Sequence, residues 1–125
     1  MKKLTVTLSN STITNIEEFH NSVIDTISDA DLITLGSTIK SLSENGDIWF
    51  KHYYLDNDKC HLLYIFDSED ALTNFSPAKA VLESLEMFDK SVDEDLTFEQ
   101  FADLAAQYDE TFIPNNRVDS LLGTE

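Results

Sequence analysis

Leu4, Val6 and Leu8 alternate with Thr5 and Thr7. A period of two predicts a half-buried strand over residues 3–8. Residues 9–14 are polar and read as a turn. Asn15, three residues ahead of Glu18, has the form of an N-cap with its capping-box partner. Ile16, Phe19, His20, Val23, Ile24 and Ile27 then recur at helical spacing to about Ser28. Leu32, Leu35, Ile39 and Leu42 repeat the pattern from about Asp31 until Asn45-Gly46 stops it. Residues 47–66 change period again: DIWFKHYYL and CHLLYIF, rich in aromatic and branched side chains, enclose Asp56-Asn57-Asp58-Lys59 and predict a hairpin. Both faces of this pair are largely apolar, which predicts a central place in the sheet.

Asp67 or Ser68 can cap the next helix, with Glu69 and Asp70 in its first turn. Ser76-Pro77 restarts helical structure, because proline suits the first position of a helix. Residues 78–88 continue it into a polar loop, and residues 98–109 form the last helix. Thr97 and Gln100 are spaced as a capping box, and Ser91 with Glu94 is a second candidate. Pro114-Asn115-Asn116 ends regular structure. The order predicts an α+β fold: a single small domain over residues 1–113, with a mainly antiparallel sheet made of the N-terminal strand and the central hairpin. Helices cover one face of that sheet, and a C-terminal helix–loop–helix follows. Residues 114–125 are expected to form a loosely held tail.

Charge adds direction to this outline. Twenty-four acidic against eight basic residues leave a formal charge of −16 over 125 residues. Between Asp67 and Glu110, 13 acids face only Lys79 and Lys90. Such a field repels nucleic-acid phosphates and anionic membranes and steers the chain toward basic proteins, although solubility alone also accounts for surface charge. The hydrophobic fraction of 42% excludes a disordered acidic tail. A lone cysteine, Cys60, allows no internal disulfide. The start of the chain is polar and alternating, unlike a signal peptide, and no run approaches the ~18 apolar residues of a membrane span. A cytoplasmic, soluble protein is expected.

Catalysis is not expected, nor is a cofactor. If Asn57-Asp58 is the turn, Tyr54 pairs with His61, and His52, Tyr54 and His61 share one face, without a third ligand at metal-binding spacing. His20 reads as a core-edge residue. Cys60 and His61 are adjacent on a strand and point to opposite faces, so that spacing makes no nucleophile–base pair. With glycine only at 36, 46 and 123, no phosphate loop exists. The candidate partner-binding residues are Glu83, Glu86, Asp93, Glu94, Asp95, Glu99, Asp103 and Glu110. Asp95, Glu99 and Asp103 repeat every four residues as a carboxylate ladder on the last helix.

Residues 81–108 resemble an EF-hand. Asp89, Ser91 and Asp93 match the first oxygen ligands of a calcium loop, and Asp95 stands at its backbone-carbonyl position. Glu94 replaces the loop glycine and Gln100 the bidentate glutamate, so the resemblance implies a degenerate site, and an ordinary capped helix–loop–helix accounts for the same residues. In size and charge the chain resembles small acidic inhibitors and immunity-type proteins, and MKKLTVTL with NIEEFHNSV is similar to the opening of barstar-type nuclease inhibitors. That likeness implies a non-enzymatic module occupying the basic, nucleic-acid-binding surface of a partner such as a nuclease. The stretch from Gly46 to Leu85, a strand pair followed by FDSEDALTNFSPAKAVLESL, resembles small dimeric α+β barrels of the antibiotic-biosynthesis monooxygenase type. That likeness implies a dimer with a small-molecule pocket between sheet and helices, with His52 and His61 as lining residues, and a fourth strand that the sequence does not display.

Overall fold

The alternation at Leu4, Val6 and Leu8 becomes β1 (Lys2–Ser9), and these three side chains are wholly buried. The computed structural model describes residues 1–10 and 12–123. After β1 come α1 (Ile16–Asp25) and α2 (Asp29–Glu44), then β2 (Ile48–Asp56), β3 (Lys59–Phe66), α3 (Glu69–Asn74), α4 (Ser76–Glu83), β4 (Phe88–Asp95), α5 (Phe98–Gln107) and α6 (Asn116–Leu122). The helix starts follow local chemistry. Asn15 accepts from the Glu17 and Glu18 amides, Ser28 from Asp31, and Ser68 from Ala71. Thr97 and Gln100 form the reciprocal capping box at α5. Asn57, at φ 58°, takes the left-handed turn between β2 and β3, which asparagine tolerates better than most residues. Tyr54 therefore faces His61, the predicted register.

The sheet order is β2-β3-β1-β4, with every pairing antiparallel. β1 and β2 thus run parallel with β3 between them, and β3 and β4 run parallel with β1 between them. Parallel strands need a crossover, and here each pair is joined by two helices. The result is a βαββαβ plan, the split βαβ arrangement, in which helices replace each single crossover with two. One face of the sheet carries Leu4, Val6, Leu8, Leu62, Tyr64 and Phe66 against Phe19, Val23, Leu32, Phe75 and Val81 from α1, α2, α4 and the α3–α4 junction. The other face carries Phe50, Leu63 and Ile65, covered by Phe101 and Leu104 of α5. Helices therefore lie on both faces, not on one.

Three further predictions change. Residues 88–95, expected as a polar loop between two helices, form β4. Its pairing with β1 runs from Lys2↔Asp95 to Thr7↔Lys90, with a bulge before Leu8↔Phe88. Only Phe88 and Val92 in it are apolar, because an edge strand needs backbone hydrogen bonds more than side-chain burial. β2 is an edge strand rather than a central one. Its outer edge is met by the chain after α5: the Thr111 amide donates to the Lys51 carbonyl at 2.9 Å, and the Tyr53 amide donates to Thr111 Oγ1 at 2.9 Å. Within the segment expected as a loose tail, Asn116–Leu122 forms α6, capped by Asn115. Arg117 ties it down by donating to the Ile24 and Ile27 carbonyls at 2.6 and 2.7 Å and to Asp29 at 2.8 Å.

Candidate functional site

The predicted partner-binding carboxylates are all exposed, and they fall into three groups. Glu83 ends α4, Glu86 lies in the turn before β4, and Asp93, Glu94 and Asp95 lie on β4 itself. Glu99 and Asp103 stand on α5. Glu110 stands at the far side of the sheet, in the segment that runs along β2. The ladder is shorter than predicted. Asp95 is the last residue of β4 and Thr97 caps α5, so the four-residue repeat on that helix is Glu99–Asp103 alone. Lys2 meets Asp95 at 2.8 Å, and Lys3 meets Glu94 at 3.2 Å. The hydrogen bond from Lys2 holds the Asp95 carboxyl below its usual range. Among the described residues no strand pairs with the outer edge of β4.

Strand geometry also separates the residues matched to calcium ligands. Asp89, Ser91, Asp93 and Asp95 are spread along one strand, about 20 Å from first to last at ~3.3 Å per residue. Calcium draws its oxygens to about 2.3–2.6 Å, which an extended chain cannot arrange around one ion. Their side chains have other work. Asp89 pairs with Lys59 at 2.6 Å, Ser91 donates to Glu83 at 3.2 Å, and Asp95 holds Lys2.

His52, Tyr54 and His61 do share one face, the α5 side of the sheet. Tyr108 joins them: ring centroids lie 5.7 Å apart for His52–Tyr54, 4.9 Å for Tyr54–His61 and 4.8 Å for His52–Tyr108. His52 Nδ1 lies 2.7 Å from the Asp109 carbonyl and therefore donates to it, and His61 Nδ1 lies 3.0 Å from Thr7 Oγ1. This cluster fastens the end of α5 to the sheet. Cys60 points the opposite way, as strand parity requires, and burial pushes its thiol up to about 12, far from the thiolate a nucleophile needs.

A feature absent from the sequence-based expectations is a cavity of about 400 Å³ between the other face of the sheet, α1, α2, α6 and residues 111–115. Its walls on α1 and α2 are mostly apolar. Its polar lining includes His20, Lys51 and Tyr53, none of which was predicted to meet the others, together with Lys40 of α2 and Asp119 of α6. His20 and Tyr53 stack with centroids 6.1 Å apart, and Lys51 Nζ lies 6.0 Å from the Tyr53 ring centroid. Tyr53 and Tyr64 share a hydroxyl–hydroxyl bond of 3.0 Å. Burial pushes the Tyr53 phenol up to about 12 and lowers both His20 and Lys51; the Asn21 side chain partly offsets the effect on His20, and the Lys51 charge adds a smaller lowering. His20 Nδ1 is buried without a hydrogen-bond partner. The sequence did contain one signal: Lys51 has the parity of Tyr53 and Leu55, so it points inward from a strand whose neighbours at that parity are apolar. His52 and His61 lie on the other side of the sheet and do not line this cavity. No protein-family model matches the chain, and no curated protein matches it in sequence.

Proposed function

We propose that the chain is a non-catalytic, acidic protein-binding module whose β4 edge occupies a basic surface of its partner. A surface built to hold nucleic acid fits that chemistry, and an inhibitor, immunity or anti-defence protein fits the role. The observation that carries the reading is the edge strand itself. β4 ends the sheet with its outer backbone edge unpaired among the described residues, and it carries Asp93, Glu94 and Asp95, with Glu83 and Glu86 beside it. An open edge is a template for another chain, and proteins commonly blunt it with charge. Carboxylates here do two things at once: they repel a second copy of the same edge, and they favour a basic partner by steering and complementarity. Glu99 and Asp103 extend the negative field along α5.

The test is capture of a partner from host lysate at low salt, followed by affinity measurement with two double variants. Glu86→Lys/Asp93→Lys should weaken binding at least a hundredfold, and Glu99→Lys/Asp103→Lys should weaken it less, both with unchanged circular dichroism. Undiminished affinity in the first variant would overturn the proposal.

A second reading draws on β4 as well. The fourth strand needed for a dimeric α+β barrel is present, and the βαββαβ order suits it. That barrel requires the free sheet face to meet a second copy, whereas α5 already covers Phe50, Leu63 and Ile65 on that face. Sedimentation showing a monomer at micromolar concentration would remove this reading.

A further inference from the structure

The cavity holds a combination that folding alone leaves incomplete. Lys51 points inward from β2, is desolvated enough to lower its pKa, and among the described residues meets no carboxylate within ion-pair distance. Glu110 favours its ammonium only through space. His20 lines the same cavity, within reach of the Lys51 charge through space, and its buried Nδ1 lacks a hydrogen-bond partner. A partly desolvated cation and a buried ring nitrogen without a hydrogen-bond partner each cost stability, and an anion with two acceptor oxygens has the chemistry to satisfy both. The wall on α1 and α2 is mostly apolar, formed by Phe19, Val23, Ile24, Leu35 and Ile39, with Lys40 of α2 and Asp119 of α6 also on the lining.

From these features we infer that the cavity is a binding site for a small amphiphile with one carboxylate and an aliphatic body. Its carboxylate bridges Lys51 and His20, and its body lies between α1 and α2. The volume sets the size. About 400 Å³ is at the lower end of ligand pockets. At ~30 Å³ for each water-sized group it takes about a dozen heavy atoms. Phe112 lines the cavity yet is 82% exposed, which marks where it meets solvent. The segment carrying Phe112 is held to β2 through Thr111 and to α1 through the Asn115–Asn21 side-chain bond at 2.9 Å. The site is therefore covered by a short strap pinned at both ends. This inference does not depend on the acidic β4 edge, which lies at the other side of the sheet.

The binding is linked to protons. A bound carboxylate favours protonated His20, so it raises the His20 pKa, and affinity increases as the pH falls through that pKa. Other titratable or charged groups lining the cavity are Lys40 on α2, Cys60 and Tyr64 on β3 and Asp119 on α6. None of them has a reference pKa near that of histidine.

The experiment uses the full chain with two probes of the same length, decanoate and 1-decanol, in calorimetry and in NMR titration of His20. Decanoate should bind at least tenfold more tightly than decanol, and His20 should move to higher pKa when decanoate is bound. Lys51→Met should abolish the preference without abolishing decanol binding. Leu35→Trp, which fills the cavity, should abolish both. Equal affinity for the two probes, no binding of either up to its solubility, an unmoved His20, or binding that survives Leu35→Trp would each overturn the inference. The His20 titration needs no variant, so it decides the matter even if a substituted chain fails to fold.

Discussion

Lys51 and His20 show at the scale of single residues what the fold tolerates. A lysine whose pKa falls on folding is destabilising at neutral pH, because its charged form was better solvated in the unfolded chain. Lys51→Met keeps the stem that packs along β2 and removes the charge. It should raise stability by about 0.5–2 kcal/mol, the common range for a single stabilising substitution, read as a higher urea midpoint. A lower midpoint would mean that the ammonium is better satisfied than its surroundings suggest. His20 is also depressed, from 6.5. Its neutral ring contributes fully above pH 6.5, and that contribution is lost as the pH falls through the lower folded-state value. The urea midpoint of the native chain should therefore decline between pH 7 and pH 5 more steeply than that of His20→Phe. Parallel slopes would show that His20 does not titrate differently on folding. Neither residue's role could be read from its neighbours in sequence, since His20 is on a helix and Lys51 is 31 positions later on a strand.

Among the elements, α6 and β4 depend most on partners distant in the chain. Arg117 donates from its guanidinium to the Ile24 carbonyl in the last turn of α1, to the Ile27 carbonyl just beyond it and to Asp29, and so both caps α1 at its negative end and anchors α6. A charged hydrogen bond contributes about 1.5–3 kcal/mol, so Arg117→Ala should cost at least that much and raise amide exchange throughout α6. Unchanged exchange there would mean that Val118 and Leu121, which pack on the core, hold the helix by themselves. Gly36 admits α6 closely: a Cβ at that position would sit 2.7 Å from Leu122 Cδ1. At the start of α5 the capping box was legible in Thr97 and Gln100 alone, since its bonds are local, at 3.0 and 3.1 Å. Thr97→Ala should cost about 1 kcal/mol by chemical denaturation. β4 was not legible. Its carboxylates, Lys90 and Ser91 carry no period-two apolar pattern, and only β1 beside it makes those residues a strand.

For the whole molecule, charge and core pull in opposite directions. The core is contiguous from Leu4 and Phe19 to Phe75 and Leu82. Phe75 is fully buried between Tyr64 and Phe66, so Phe75→Ala should cost about 3–5 kcal/mol and serves as a calibration of that core. A formal charge of −16 works against the compact state by self-repulsion. Salt screens it over about 10 Å at 0.1 M. The melting temperature should therefore rise between 20 and about 200 mM sodium chloride. A fall would mean that the surface pairs Lys2–Asp95, Lys3–Glu94 and Lys59–Asp89 outweigh the repulsion.

The amino-acid sequence by itself determined whatever depends on near neighbours. That includes β1, the hairpin and its Tyr54–His61 register, the starts of α1, α3, α4 and α5, and the α+β class with its excess of exposed acid. Each rests on periodicity, a cap or a turn residue acting within a few positions. Tertiary structure alone decided the rest. It made an edge strand of Phe88–Asp95 by hydrogen bonding it to β1, which divided the carboxylate ladder and drew the calcium-like residues apart. It turned the expected tail into α6 through Arg117, and placed α5 on the second face of the sheet. It also formed the cavity that both His20 and Lys51 line. These outcomes come from contacts between segments far apart in the chain, up to 93 residues for Lys2–Asp95 and Arg117–Ile24, and the energy of such contacts is not a property of either segment alone.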